Sequence, residues 1–310
     1  MPTQPLSYLH ASGSRAEFTL PLTLGLLAIS IAVVVIVAIL LIVALSRRRS
    51  TDAVAPDASW WVYAGVGLSS FVLTAALVWT VRVLARVNGP PSPPAFTLEV
   101  TAQQWWWKAR YLDDDPSKVL TTANEIHIPV GEPVRVELTG ADVIHSFWVP
   151  ALAGKTDAVP GQRNVTWIEA DQPGRYRGQC TEYCGTQHAH MGFEVIAESP
   201  ADFARWRELQ LAAAAEPASD ALARGRHDFE FRCGACHTVR GTAAGGTTGP
   251  DLTHLMSRQT IAAGTLPTSP ATIAAWIANP QAQKPGTLMP NLQLSGDELG
   301  AIDAWLATLQ

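Results

Sequence analysis

Between Glu17 and Arg47 the chain carries no charged side chain for 29 consecutive positions. A second uncharged run extends from Ser59 to Val81, 23 positions. Wound as helices at ~1.5 Å per residue, either run exceeds the ~30 Å hydrocarbon core of a bilayer. A signal peptide followed by a buried helix would also give two apolar runs, but a signal core of roughly 7–15 residues is far shorter than the first one. The runs predict a transmembrane hairpin within residues 1–90, with spans at about 18–45 and 60–84. Arg47, Arg48 and Arg49 lie in the short connection, which the positive-inside rule puts in the cytoplasm, so both termini are expected outside. Arg82 and Arg86 weigh against that orientation without reversing it, and Trp60 and Trp61 read as an interfacial anchor.

After the spans the texture changes. Asn88-Gly89-Pro90-Pro91-Ser92-Pro93-Pro94 is a stiff, helix-breaking exit. From residue 96 to 198 come short alternating runs: Phe96–Thr101, Glu125–Ile128, Val134–Thr139, Asn164–Ala170 and Phe193–Ile196. Period-two runs at this density, separated by turns such as Pro129-Val130-Gly131 and Gln172-Pro173-Gly174, predict a β-sandwich or barrel. Residues 199–218 read as a helix, Pro200–Leu211, and a linker of small residues. Residues 219–310 read as helical, with an N-cap at Ser269-Pro270 and a capping box at Ser295–Glu298. No internal repeat is visible. The net charge of −5, with Lys and Arg massed on no face, gives a nucleic-acid role no support.

All four cysteines fall in two motifs, so no structural disulfide is expected. The first motif runs Gly178-Gln179-Cys180-Thr181-Glu182-Tyr183-Cys184-Gly185-Thr186-Gln187-His188-Ala189-His190-Met191. Two thiolates, an imidazole and a thioether within twelve residues are soft ligands that favour copper. Zinc is normally held by Cys, His or carboxylate, so the methionine discriminates. With His145 upstream, one cysteine would complete a one-copper electron-transfer site. A second cysteine lets two sulfurs bridge two ions. A Cys180–Cys184 disulfide or a zinc site accounts for the sulfurs and leaves the neighbours as coincidence.

This loop resembles the copper-A loop of cytochrome c oxidase subunit II, Cys-x-Glu-x-Cys-x3-His-x2-Met. Asp142–Phe147 and Lys155–Gly161 resemble two further blocks of that family. The resemblance implies a binuclear copper centre held by His145, Cys180, Cys184, His188, Met191 and the carbonyl of Glu182. It also implies a magnesium ion touched by the Glu182 side chain where subunit I meets the chain. Three Trp in a row, in Gln104-Trp105-Trp106-Trp107, must alternate faces on a strand, so at least one is exposed unless covered. In the family the first Trp of such a block receives electrons, which makes Trp105 the candidate here. Asp113–Asp115 reads as a solvated loop, and His10, His127, His190, His227 and His254 read as ordinary histidines. The stretch from Trp79 to Pro94 lacks the carboxylate that many relatives use near the second span to open a proton path.

The second motif, Cys233-Gly234-Ala235-Cys236-His237, is the attachment signal of c-type haem. Two thioethers fix the macrocycle and the adjacent His binds iron. A downstream methionine suits the other axial position. Met289, in Gly286-Thr287-Leu288-Met289-Pro290, is favoured over Met256, because that loop and Gly249-Pro250-Asp251-Leu252 resemble small class I cytochromes c.

The expectation is a multi-domain membrane protein: a two-helix transmembrane hairpin, a cupredoxin-like β-sandwich and an all-α cytochrome c domain, lying in a bacterial cell membrane with the redox domains on its outer face. The resemblance implies an electron-transfer subunit of a haem-copper terminal oxidase that lacks the oxygen-reducing centre itself. Its partners would be oxidase subunits I and III, with cytochrome c or a quinol–cytochrome c reductase as donor. A copper-A subunit of a nitric oxide reductase and a copper-delivery protein are the other readings.

Overall fold

The computed structural model describes residues 3–46 and 59–310; Arg47–Arg49, on which the predicted orientation turns, lie outside the described residues. The chain divides into two compact units, residues 15–89 and the remainder. The first unit is two helices, α1 (Ser14–Ser46) and α2 (Ser59–Val87), each long and apolar enough to cross a membrane. Their aliphatic side chains are exposed on every face: Val34 is 68 % and Leu73 69 % accessible. A helix that is apolar all round needs either a protein core or lipid, and among the described residues of these two helices only Ala16 and Val83 are buried.

The second unit begins with a short strand, β1 (Thr3–Gln4), and then holds a ten-stranded sandwich. Its strands are β2 (Thr97–Gln103), β3 (Trp106–Tyr111), β4 (Leu120–Ala123), β5 (Glu125–Pro129), β6 (Val134–Gly140), β7 (His145–Trp148), β8 (Thr156–Ala158), β9 (Asn164–Ile168), β10 (Gly174–Cys180) and β11 (Gly192–Glu198). One sheet runs β4-β3-β2-β6-β9, the other β5-β11-β10-β7-β8, with β1 pairing on β10. Alternation puts every second side chain inward, as in β2, where Leu98, Val100 and Ala102 are buried. The core centres on Trp107, whose ring lies 5.7 Å from Phe147 and 5.1 Å from Phe193. β10 is one of the strands that the apolar pattern misses, with β3, β4 and β8. Its inward positions are Gly174, Tyr176, Gly178 and Cys180, so two of the four have no side chain to signal burial.

The three tryptophans do not lie on one strand. Gln104 and Trp105 form the turn between β2 and β3, and Trp105 and Trp107 are both buried. Turn geometry, not strand alternation, decides where Trp105 goes.

A helix, α3 (Pro200–Leu211), capped by Ser199, lays Phe203 and Trp206 against Tyr111. Residues beyond it cross to the helical part through the bond from Ala214 N to Arg240 O (2.9 Å). That part comprises α4 (Asp220–Arg232), α5 (Pro270–Ala278), α6 (Pro280–Gln283) and α7 (Gly296–Leu306), plus a two-residue hairpin of β12 (Thr260–Ile261) and β13 (Leu266–Pro267). Helices α4 and α7 cross with Phe229 packed on Trp305, ring centroids 5.0 Å apart. The capping box read from the sequence at Ser295 forms with Glu298, and the N-cap read at Ser269 is a capping box as well, with Thr272 supplying the reciprocal bond.

Candidate functional site

At one end of the sandwich β10 stops at Cys180 and β11 resumes at Gly192. The loop between them is closed by Cys180 N donating to Met191 O (3.1 Å) and tied to β7 by Thr181 N donating to Ser146 O (3.1 Å). His145, the first residue of β7, therefore faces the same loop. The two sulfurs of Cys180 and Cys184 lie 3.8 Å apart, unbonded and buried. Around them stand His145 Nδ1, 3.9 Å from Cys180 Sγ, and His188 Nδ1, 3.5 Å from Cys184 Sγ. Met191 Sδ is 3.8 Å from Cys184 Sγ, and the Glu182 carbonyl is 3.3 Å from Cys180 Sγ. All six residues read from the sequence motif are thus brought together.

The surroundings orient the donors. Asp142 Oδ1 lies 2.8 Å from His145 Nε2, which leaves Nδ1 directed at the sulfurs. Burial would raise the Asp142 carboxyl, but bonds from His145, Gln104 N and Val143 N hold it below its ordinary value. Burial likewise opposes charge on His145, but Cys180 and Asp142 overcome it and raise the imidazole. The contact between the two sulfurs shifts the Cys180 thiol down and the Cys184 thiol up. Donors within about 4 Å of one another can reach ions at ~2.0–2.3 Å bond lengths, and oriented imidazoles are what ligation requires. The donor set fits a thiolate-bridged metal centre. The Glu182 carboxylate points away, half exposed and 3.3 Å from Lys155 Nζ.

In the helical part, α4 ends at Cys233 and the turn that follows presents Cys236 and His237. These three and Met289 line one largely apolar cavity; Met256 does not. His237 Nδ1 is 2.8 Å from Pro250 O, which fixes the ring and leaves Nε2 for a ligand. A Cβ at Gly249 would sit 2.7–3.0 Å from that ring, so the glycine lets the backbone pass beneath the imidazole. Burial lowers the His237 basicity, giving the neutral ring that metal binding needs, and pushes the Cys233 thiol up to about 11. These residues fit a covalently attached haem. The cavity wall also includes Trp105, Trp106 and Lys284. Lys284 does not stand out in the sequence, because a single lysine in a loop carries no spacing signal. Trp105 Nε1 donates to Cys184 O (3.0 Å), as does Gln104 Nε2 (2.7 Å), so the indole touches the cysteine loop from the cavity side.

Fold and sites define a class: an electron-transfer protein with two candidate membrane spans, a cupredoxin-like metal domain and a c-type cytochrome domain. Residues 103–198 match the family "Cytochrome C oxidase subunit II, periplasmic domain", and residues 222–310 match "Cytochrome c". Cytochrome c oxidase subunit 2 of Alkalihalophilus pseudofirmus is 40 % identical over 215 residues, covering 69 % of this chain and 61 % of that protein. The subunit 2 of Bacillus sp. PS3 is 30 % identical over 225 residues, covering 69 % and 62 %. The chain therefore spans about three-fifths of the length of these relatives. A solved structure of the periplasmic domain of subunit II of the cytochrome oxidase of Bradyrhizobium japonicum is 34 % identical, covering 38 % of this chain and 95 % of that one at a TM-score of 0.36. The chain thus carries a cytochrome c oxidase subunit II periplasmic domain with a cytochrome c domain behind it, and the two relatives above are subunit 2 of cytochrome c oxidases. Copper A and haem are the cofactors that these two domains imply.

Proposed function

We propose that this chain is the electron-receiving subunit of a haem-copper terminal oxidase, taking electrons from an external donor and delivering them to the subunit that reduces dioxygen to water. The observation that carries it is the convergence of two imidazoles, a thioether and a backbone carbonyl on two unbonded, buried sulfurs beside a cavity that holds a haem-attachment motif. The copper pair would be held by His145, Cys180, Cys184, His188, Met191 and the Glu182 carbonyl. The haem would be held by Cys233, Cys236, His237 and Met289. Bound there, the two groups would supply reversible one-electron chemistry.

The remaining residues orient and shield. Asp142 holds His145 in the tautomer that offers Nδ1. Pro250 O does the same for His237. Trp105 is 7 % accessible and lies between the cavity and the Cys184 carbonyl, so it is the group through which the two sites are in contact. Its burial favours a donor that approaches the helical domain instead. Fusing the two domains keeps donor and acceptor at an effective concentration of roughly millimolar or more. The Glu182 carboxylate is the group available to a magnesium ion at a contact with subunit I. The span helices anchor the chain with both redox domains on the outer face.

Reconstitution with the oxygen-reducing subunits tests this reading. Oxygen consumption driven by reduced external cytochrome is expected. Turnover of nitric oxide but not oxygen would assign the chain to a nitric oxide reductase, and ready loss of copper to a mild chelator would favour copper delivery.

A further inference from the structure

The haem-motif cavity is not closed by its own domain alone. Lys284, in the loop between α6 and Met289, is 2 % accessible, although lysines are seldom fully buried without a partner. Its Nζ donates to Trp105 O (2.8 Å), His190 O (2.7 Å) and Ala262 O (3.0 Å). An ammonium has three donors and no acceptor, so every donor is used, two on carbonyls of the sandwich and one on its own domain. Trp105 O belongs to the turn beneath the cysteine loop, and His190 immediately precedes Met191.

We propose that Lys284 is the positioning residue that seats the cytochrome domain on the copper domain in one orientation, with Trp105 clamped between the two cofactor loops. Three further observations agree. The next residue, Pro285, accepts a bond from Gln187 Nε2 (2.8 Å), in the cysteine loop itself. Gly286, at φ +89°, brings its backbone so close to the indole that a Cβ would lie 3.3 Å from Trp105 Cη2. On the other side Gly185, at φ +113°, leaves 3.0 Å between its Cβ position and Trp105 Cζ2. The ring is thus held between two left-handed glycines, one from each cofactor loop.

A buried cation is costly unless its hydrogen bonds are satisfied, and it is poor evidence of a gain in stability. Burial pushes Lys284 down to about 7. Among its acceptors only Ala262 O is on its own domain, so an undocked cytochrome domain would leave two donors to water and the loop unanchored. Lys108, donating to Thr247 O (3.0 Å) at the exposed rim, and Gln259 N, donating to Glu125 Oε1 (2.6 Å), bound the same contact without being centred on Trp105. What Lys284 adds is fixed geometry between the two cofactor loops.

The inference rests on the reading that electrons pass from the cytochrome domain to the copper domain, and two measurements separate them. In the full chain carrying both cofactors, haem is reduced by a flash-excited ruthenium photosensitiser with a sacrificial electron donor, and arrival of the electron at copper is followed by absorbance. Wild type should transfer at a rate independent of protein concentration. Lys284→Met should slow transfer at least tenfold, with haem and copper spectra and both reduction potentials unchanged. An unchanged rate overturns the proposal. Independently, acetylation of the wild-type chain read by mass spectrometry should modify exposed Lys118 and Lys155 at least tenfold faster than Lys284. Equal labelling overturns the proposal even if the variant fails to assemble. Absence of any haem-to-copper transfer in wild type would instead sink the functional reading, whatever the labelling shows.

Discussion

Asp142 is the residue whose removal most directly tests how the copper loop is preorganised. Its carboxylate accepts from His145 Nε2 at 2.8 Å, from Gln104 N at 2.7 Å and from Val143 N at 2.7 Å. In Asp142→Ala the two backbone groups lie near the surface and reach water, so their loss costs little. His145 is fully buried and has no such recourse. A buried donor without an acceptor costs about 1–3 kcal/mol, and loss of such supporting partners typically weakens metal binding about 10–100-fold. The second figure corresponds to ~1.4–2.8 kcal/mol, the same range. The variant should therefore lose copper to a competing chelator at 10–100-fold lower chelator concentration than wild type, with the sandwich still folded by circular dichroism. Asp142→Asn, which keeps an acceptor oxygen, should fall between the two. Copper retention by Asp142→Ala equal to wild type would refute the claim that this carboxylate sets the His145 tautomer.

Three other outcomes follow from the same geometry. Met289→Ala should leave the haem covalently attached but open one axial position, seen as a high-spin ferrous spectrum and new binding of carbon monoxide; Met256→Ala should do neither. Gly249→Ala, whose Cβ would press on the His237 ring, should perturb the haem spectrum and lower the yield of haem-loaded protein, while the copper signal stays as in wild type. Ser295→Ala removes the cap of α7 and should cost about 0.5–2 kcal/mol, read as a lower unfolding temperature of the cytochrome domain.

The parts of this protein that were legible in its sequence are those whose chemistry is local. Cys180, Cys184, His188 and Met191 sit on one loop, so their spacing carries the geometry, and Cys233–His237 does the same for haem. The N-cap at Ser269 and the capping box at Ser295 are likewise local, set within four residues. Alternation located β2, β5, β6, β9 and β11 but missed others, among them β10, whose inward positions include two glycines. The Trp105–Trp107 stretch was read as continuous strand because nothing local marks Gln104-Trp105 as a turn; pairing of Gln103 with Trp106 creates it. Lys284 was invisible for a deeper reason. Its three acceptors come from residues 105, 190 and 262, and only the assembled chain brings them to one point.

The twin-sulfur centre is the proposition on which the electron-transfer account depends, and metal counting reaches it without any functional assay. Quantitative elemental analysis of the purified, haem-loaded chain should return two copper atoms for every haem iron, with intact-protein mass after metal removal showing two free thiols at Cys180 and Cys184. One copper or a zinc per iron, or a mass two hydrogens lighter from a bond between those sulfurs, would contradict it.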